Sequence, residues 1–208
     1  MMGIMIFCEG KNELKFFEKL CEKVNTISTP QTFDGQCLKH SRLKNQQSDK
    51  IRDLVGNPDV EVLVKAEGGK SNLKKVVPHF VPTLMNRVEK IILMADTDVN
   101  LEESVSDHKT SLMEFNNSIK NRIEQRHKGS KVEIKIGDVV NENQHLIINE
   151  NYLLDRKGHR KGFFTTVLWK GSLESVSGIN EQYSNVDEGL ESLLRNDEIV
   201  NLFSSLVS

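Results

Sequence analysis

Residues 3–17, GIMIFCEGKNELKFF, decide the fold. The apolar run at 4–8 is typical of a strand buried on both faces of a parallel sheet. Helical periodicity over residues 11–24, after a turn at Gly10, predicts an amphipathic helix that directly follows this strand. Glu9 stands at the junction, where a carboxylate is either solvated, caps a helix or holds a positively charged group.

The same strand-then-helix pattern recurs along the next hundred residues. Two further apolar runs predict buried strands, and two periodic stretches predict helices between and after them. Pro78 and Pro82 are expected to disrupt the first of these helices or to start a new one. This β–α–β–α order predicts an α/β fold with a mostly parallel sheet flanked by helices. The four elements are residues 60–66, 73–77, 89–95 and 107–126.

The pattern is less regular after residue 137. KVEIKI at 131–136 predicts a strand near the sheet edge, 145–148 and 163–169 predict extra strands, and 185–207 predicts a helical segment. The polar residues 26–58 predict only a short helix over 48–55. One domain over 1–208 is expected, with a core of about 3–137 and a C-terminal extension of about 138–208.

Acidic residues end two of the predicted strands. Glu9 follows the first strand, and Asp96 and Asp98 follow the third in MADTDVN. Because ligands bind at the carboxyl ends of parallel strands, these three acids are expected to share one edge of the sheet. Gathered carboxylates repel one another unless a cation neutralises them. Oxygen ligands suit Mg²⁺ or Mn²⁺, so the pattern predicts a site for one of these ions.

These motifs resemble the Toprim domain. A buried strand that ends in CEG, a second acid four residues later and a strand that ends in DTD resemble this domain, which topoisomerases, primases and several nucleases share. Nucleases of the overcoming-lysogenization-defect type are among them. The resemblance covers roughly residues 3–137 in element order. It implies that Glu9 is the strand-end glutamate of the family, that Asp96 and Asp98 are its Asp-x-Asp pair, and that Glu13 is the second acid of nuclease-like members.

Two further segments, GGKSNLKK at 68–75 and GSLESV at 171–176, are similar to small stand-alone Toprim-related proteins. This resemblance implies that Glu174 joins the metal ligands. It also implies a Toprim-like, Rossmann-like fold with extra C-terminal strands and a helix. The implied function is metal-dependent phosphodiester chemistry on nucleic acid, in the form of nuclease-type cleavage. Glu9 is either a metal ligand or a general acid or base, and strand passage and primer synthesis are not expected.

Lysine and arginine side chains suggest where phosphate could bind. Lys70 in AEGGKSN is not a P-loop lysine, because GxxxxGK[ST] requires glycine where Val64 stands. It either reaches a phosphate from a glycine turn, as a catalytic residue, or is an exposed loop lysine. The segments DRKGHRKG at 155–162 and 120–131 are basic, and each is either a nucleic-acid contact or a solvated surface. Trp169 either stacks on bases or packs in the core.

Composition limits the classes of function. The 208 residues carry a net charge of −2, so no global positive field attracts nucleic acid or lipid. Three cysteines without CxxC spacing favour a reducing cytoplasm, and the N-terminal apolar run is too short to span a membrane. The expected partner is DNA or RNA, together with an ATPase or another protein. The alternatives are a non-catalytic module that binds nucleic acid or a partner, and a nucleotide- or phosphate-ligand sensor.

Overall fold

The computed structural model describes residues 2–24, 30–34, 51, 55, 57, 59–129, 132–180, 182 and 184–207. Of the helix predicted over 48–55, only Ile51 and Val55 lie among these residues, and both are helical and buried. Cys37 lies outside them, while Cys8 and Cys21 are buried free thiols. In the part of the chain that is described, no helix is long and apolar enough to cross a membrane.

Seven strands form one sheet in the order β2-β3-β1-β4-β7-β6-β5. The first five strands in this order are parallel, and β6 and β5 are antiparallel to their neighbours. The prediction of a mostly parallel α/β sheet is therefore confirmed, as is the edge position of β5. The strands are β1 (Met2–Cys8), β2 (Gln31–Asp34), β3 (Val62–Ala66), β4 (Val88–Asp96), β5 (Glu133–Glu142), β6 (Leu146–Leu154) and β7 (Arg160–Trp169).

Helices cover both faces of the sheet. On one face α1 packs with the C-terminal helices around Phe16, Trp169 and Phe203, whose rings meet at centroid distances of 4.9–5.6 Å. Trp169 is fully buried there, so it is a core residue and not a base-stacking one. On the other face α2 and α3 pack over residues such as Phe7 and Leu63. The helices are α1 (Lys11–Val24), α2 (Lys70–Leu84), α3 (Val105–Arg126), α4 (Leu173–Ser177), α5 (Val186–Leu193) and α6 (Asp197–Val207).

The expected break at the prolines is wrong, because α2 is one continuous helix that contains both Pro78 and Pro82. Each proline removes a single backbone hydrogen bond, while the apolar stripe of the helix stays buried against the sheet. Most helical stability in proteins comes from such packing and not from propensity. The short edge strand β2 and the helix α4 were not predicted. Both are short, and β2 lies in a stretch whose polar composition hides it.

The carboxyl ends of β1, β3, β4 and β7 meet at one edge of the sheet, called here the carboxyl edge. Backbone hydrogen bonds join the loops that leave it. Glu67 N donates to Cys8 O at 3.0 Å, Gly69 N donates to Glu9 O at 2.8 Å, and Thr97 N donates to Trp169 O at 2.9 Å. The first two bonds join the loop after β3 to the end of β1, and the third joins the loop after β4 to the end of β7, so they position the side chains that these loops carry.

Candidate functional site

Glu9 lies at the centre of the carboxyl edge. Its Oε2 is 3.4 Å from the backbone N of Asp96, and it also accepts from the backbone N–H of Lys70, the first residue of α2. Burial raises the pKa of Glu9, and these two N–H groups and the Lys70 ammonium oppose that rise. The carboxylate therefore joins the ends of β1 and β4 to the start of α2, a helix other than the one that follows it in sequence.

Asp96 ends β4 and faces the other acids. Its Oδ1 accepts from the backbone N of Leu173, the first residue of α4, at 3.1 Å. Burial raises the pKa of Asp96 to about 9, and the charges of Glu13, Glu9 and Glu174 add to the increase. These three acids therefore lie close enough to Asp96 to repel its negative charge. The four residues Glu9, Glu13, Asp96 and Glu174 are called here the acidic cluster.

The two acids that the resemblance added to the site belong to this cluster. Glu13, in the first turn of α1, is buried, and its Oε2 accepts from Gly10 N at 3.0 Å. Burial raises its pKa to about 7, helped by the charges of Glu174 and Glu9. Glu174 Oε1 accepts from Asn12 Nδ2 at 2.6 Å. The loop after β7 thus brings Glu174 beside α1, which spacing in the sequence alone could not indicate.

Asp98 and Lys70 form an ion pair at the border of the acidic cluster. Lys70 Nζ lies 2.6 Å from Asp98 Oδ2 and 2.5 Å from the carbonyl oxygen of Asp96. The Lys70 side chain is only 12% exposed, whereas that of Asp98 is 69% exposed. Gly68 and Gly69, with φ of 73° and 115°, form the turn that aims Lys70 at this point. Lys70 is therefore a positioned ammonium at the carboxyl edge and not an exposed loop lysine.

Thr97 connects the two loops that carry Asp96, Asp98 and Glu174. Its Oγ1 accepts from Gly171 N at 2.9 Å and lies 3.2 Å from Nδ1 of His108, a buried residue of α3. Burial lowers the pKa of His108, which favours the neutral ring. A neutral ring nitrogen can accept a hydrogen bond from the Thr97 hydroxyl group. Neither residue was predicted from the sequence. The only signal that could have indicated Thr97 was its place between two predicted site residues.

A cleft of about 360 Å³ opens beside Asp98, between α2 and α3. Lys70 and Lys74 extend into it, and the Lys74 ammonium lies 5.4 Å from the centroid of the Phe115 ring. Burial and the charge of Lys70 lower the pKa of Lys74. Thr110 and Ser111 place hydroxyl groups on the opposite wall, and Asp107 and Glu114 line the cleft as well. Both hydroxyl groups already donate to backbone carbonyl oxygens, Thr110 to Ser106 and Ser111 to Thr97, so the two ammonium groups are what this cleft offers to a phosphate group.

The acidic cluster has the carboxylate oxygens that a divalent cation prefers as ligands. Its side chains, however, do not point toward one common position. Among the residues that the structure describes, no three Asp, Glu, His or Cys side chains are grouped to hold a metal ion. Each predicted ligand instead turns to an N–H donor or to Lys70. Carboxylate oxygens suit Mg²⁺ or Mn²⁺, and the raised pKa values indicate a site short of positive charge. Metal binding therefore requires these side chains to rotate toward a common point.

The chain was compared with protein-family models and with curated proteins. No family model matches the chain, and no curated protein matches it either.

Proposed function

We propose that this protein is a Toprim-like enzyme that uses Mg²⁺ or Mn²⁺ to cleave phosphodiester bonds in nucleic acid. The observation that carries the proposal is the acidic cluster, in which burial and then the charges of three other carboxyls raise the pKa of Asp96 to about 9. Grouping like charges at a partly buried edge costs free energy unless a cation binds them. Such a cost is common at functional sites.

Glu9, Asp96 and Asp98 would hold the ion, with Glu13 and Glu174 adding negative charge around it. A bound divalent ion polarises a phosphoryl oxygen and lowers the pKa of a bound water. Glu9, whose pKa is raised by burial, is either a ligand or the group that moves a proton. Lys70 is placed to neutralise charge on the phosphate once Asp98 turns toward the ion.

The cleft next to Asp98 supports a phosphate-containing substrate. Lys74 has no carboxylate within ion-pairing distance among the described residues, and its lowered pKa would be restored by a bound anion. The Lys70 and Lys74 ammonium groups would supply the contacts to this phosphate, because the hydroxyl groups of Thr110 and Ser111 already donate to backbone carbonyl oxygens. A nucleic-acid strand with one phosphate at the acidic cluster and a neighbouring phosphate in the cleft fits this arrangement.

A second candidate is a non-catalytic module that binds nucleic acid or a protein partner such as an ATPase. Every predicted metal ligand accepts a hydrogen bond from a donor group of the protein itself. This favours the non-catalytic candidate, because such a site can persist without metal. We propose a cytoplasmic location for both candidates. The buried free thiols Cys8 and Cys21 support it.

Cleavage assays separate the two candidates. Labelled DNA and RNA, single-stranded and duplex, are incubated with the protein in Mg²⁺, in Mn²⁺ or in EDTA. Cleavage is expected only with metal, and Asp96→Asn with Asp98→Asn should reduce the rate by at least about 100-fold. The control Asp59→Asn with Asp138→Asn removes the same charge from acids outside the acidic cluster and should retain the activity. Equal cleavage by wild type and the Asp96/Asp98 variant would refute the proposal.

A further inference from the structure

The turn between β6 and β7 is basic and is held by several hydrogen bonds of its own. Asp155 N donates to His159 O at 2.9 Å, and Gly158 N donates to Asp155 O at 3.0 Å. Asp155 Oδ1 also accepts from the backbone N of Lys157 at 2.8 Å and of His159 at 3.0 Å. The one carboxylate of this turn is thus used to hold its shape, while Arg156, Lys157 and the residues after them are exposed.

Two aromatic rings support Arg160 at the base of this turn. Its guanidinium lies 4.3 Å from the centroid of Tyr152 and 4.8 Å from that of Phe163, two residues that pair across β6 and β7. A guanidinium stacked on rings keeps its N–H donors at the edge, where they can bind a phosphate. Among the described residues, neither Arg160 nor Lys157 pairs with a carboxylate, whereas Lys161 lies 3.6 Å from Asp155.

The second basic segment of the sequence meets this turn in space. Arg156 Nη2 donates to the carbonyl oxygen of Gly129, just after α3, at 3.0 Å. Residues 126–129 and 155–161 are called here the basic tip. They contain six lysines or arginines and one carboxylate, so the basic tip carries +5 with histidines neutral, while the whole chain carries −2. This charge is therefore concentrated on one small surface.

The basic tip lies at the other end of the sheet from the acidic cluster. β7 starts at Arg160 and ends at Trp169, which pairs with Asp96 at the carboxyl edge. Helix α3 runs back between the two ends, and its 22 residues span about 33 Å. The basic tip is therefore not a part of the candidate metal site, and its charge has no role in neutralising those acids.

We propose that the basic tip is a second, metal-independent surface that binds the phosphate backbone of nucleic acid. Preorganised lysine and arginine side chains around a fixed turn suit successive phosphates, which supply sequence-independent affinity. The choice of nucleic acid over an acidic polypeptide rests on the proposed function. At 3.4 Å per base pair, the length of α3 corresponds to about ten base pairs, so longer duplexes can reach both ends of the molecule.

Fluorescence anisotropy in EDTA tests this surface without involving the metal. A 20-nucleotide strand and a 20-base-pair duplex are titrated with wild type and with Lys157→Ala/Arg160→Ala between 50 and 200 mM salt. The variant is expected to bind at least about tenfold more weakly, and its plot of log K against log salt should be shallower by about 1.5–2. Lys157→Ala/Lys161→Ala, which leaves the Arg160 stack intact, should show a similar loss.

The matched control is Lys15→Ala/Arg195→Ala, which removes one exposed lysine and one exposed arginine from α1 and from the turn after α5. It should bind like wild type. The proposal is overturned if wild type does not bind in EDTA, if the tip variants bind as tightly as the control, or if polyglutamate of equal charge competes as well as DNA. Because no metal is present, failure of the cleavage assay leaves this measurement unaffected.

Discussion

Asp96 is the residue at which the negative charges of the carboxyl edge converge. Among the described residues its side chain accepts one backbone N–H, from Leu173, while burial and the charges of Glu13, Glu9 and Glu174 raise its pKa. The folded chain therefore keeps protons that the unfolded chain releases near pH 4, so raising the pH favours the unfolded state. A divalent cation would remove this penalty by replacing those protons.

Replacing Asp96 by Asn should stabilise the metal-free protein at alkaline pH. Between about pH 5 and pH 9 the wild-type free energy of unfolding should fall as pH rises, since Asp96 and Glu13 have pKa values of about 9 and about 7 when folded. Asp96→Asn should flatten this fall and exceed wild type by more than about 1 kcal/mol at pH 8.5. Urea denaturation in EDTA at three pH values measures it, and stability that rises with pH in both proteins would contradict the assignment.

Asp98 adopts a left-handed backbone conformation, with φ of 60°. Asn tolerates this region and a β-branched residue does not. Asp98→Asn and Asp98→Val both lose the ion pair with Lys70, so the difference between them reports the backbone conformation together with the hydrogen bond that the amide oxygen of the Asn variant can still accept from Lys70. Asp98→Val should be less stable than Asp98→Asn by about 1–2 kcal/mol in chemical denaturation. Equal stabilities would show that the loop relaxes without this conformation.

At the scale of the element, the two loops that carry the acids depend on Thr97. Its Oγ1 accepts a hydrogen bond from Gly171 N and is hydrogen-bonded to His108 Nδ1, and the side chain is buried. Thr97→Val leaves both partners unsatisfied and should destabilise the fold by about 2–4 kcal/mol, whereas Thr97→Ser keeps the oxygen and should cost about 1 kcal/mol. Thermal and urea denaturation of the two variants measure this. Similar losses in both would assign the role of Thr97 to its methyl group.

Elements were predictable from the sequence where burial and periodicity coincide. The buried strand before Glu9 and the periodic helix after it are confirmed, and so is the strand that ends at Asp96. Helix α2 differs from its prediction because packing of its apolar stripe outweighs two prolines, which a local rule treats as breaks. The edge strand β2 pairs with β3 through backbone groups, and four residues with a polar pattern give no periodic signal.

At the scale of the whole molecule, the order of the strands could not be read from the chain. The insertion of β7 beside β4 brings Gly171 to Thr97 and Glu174 to Asn12, contacts between residues more than 70 positions apart. That the strand-end acids share one edge did follow from the sequence, because parallel strands place their carboxyl ends together. The direction of each carboxylate did not, since it depends on which N–H donor lies nearest.

The central claim is that the acidic cluster and the neighbouring Asp98 bind a divalent cation. Anomalous diffraction from crystals soaked in Mn²⁺ tests it most directly. The predicted result is a peak about 2 Å from carboxylate oxygens of Asp96 and of at least one of Glu9 and Asp98, with Lys70 displaced from Asp98. The contradicting result is no peak at saturating Mn²⁺, with Asp96 still bonded to Leu173 N and Asp98 still bonded to Lys70.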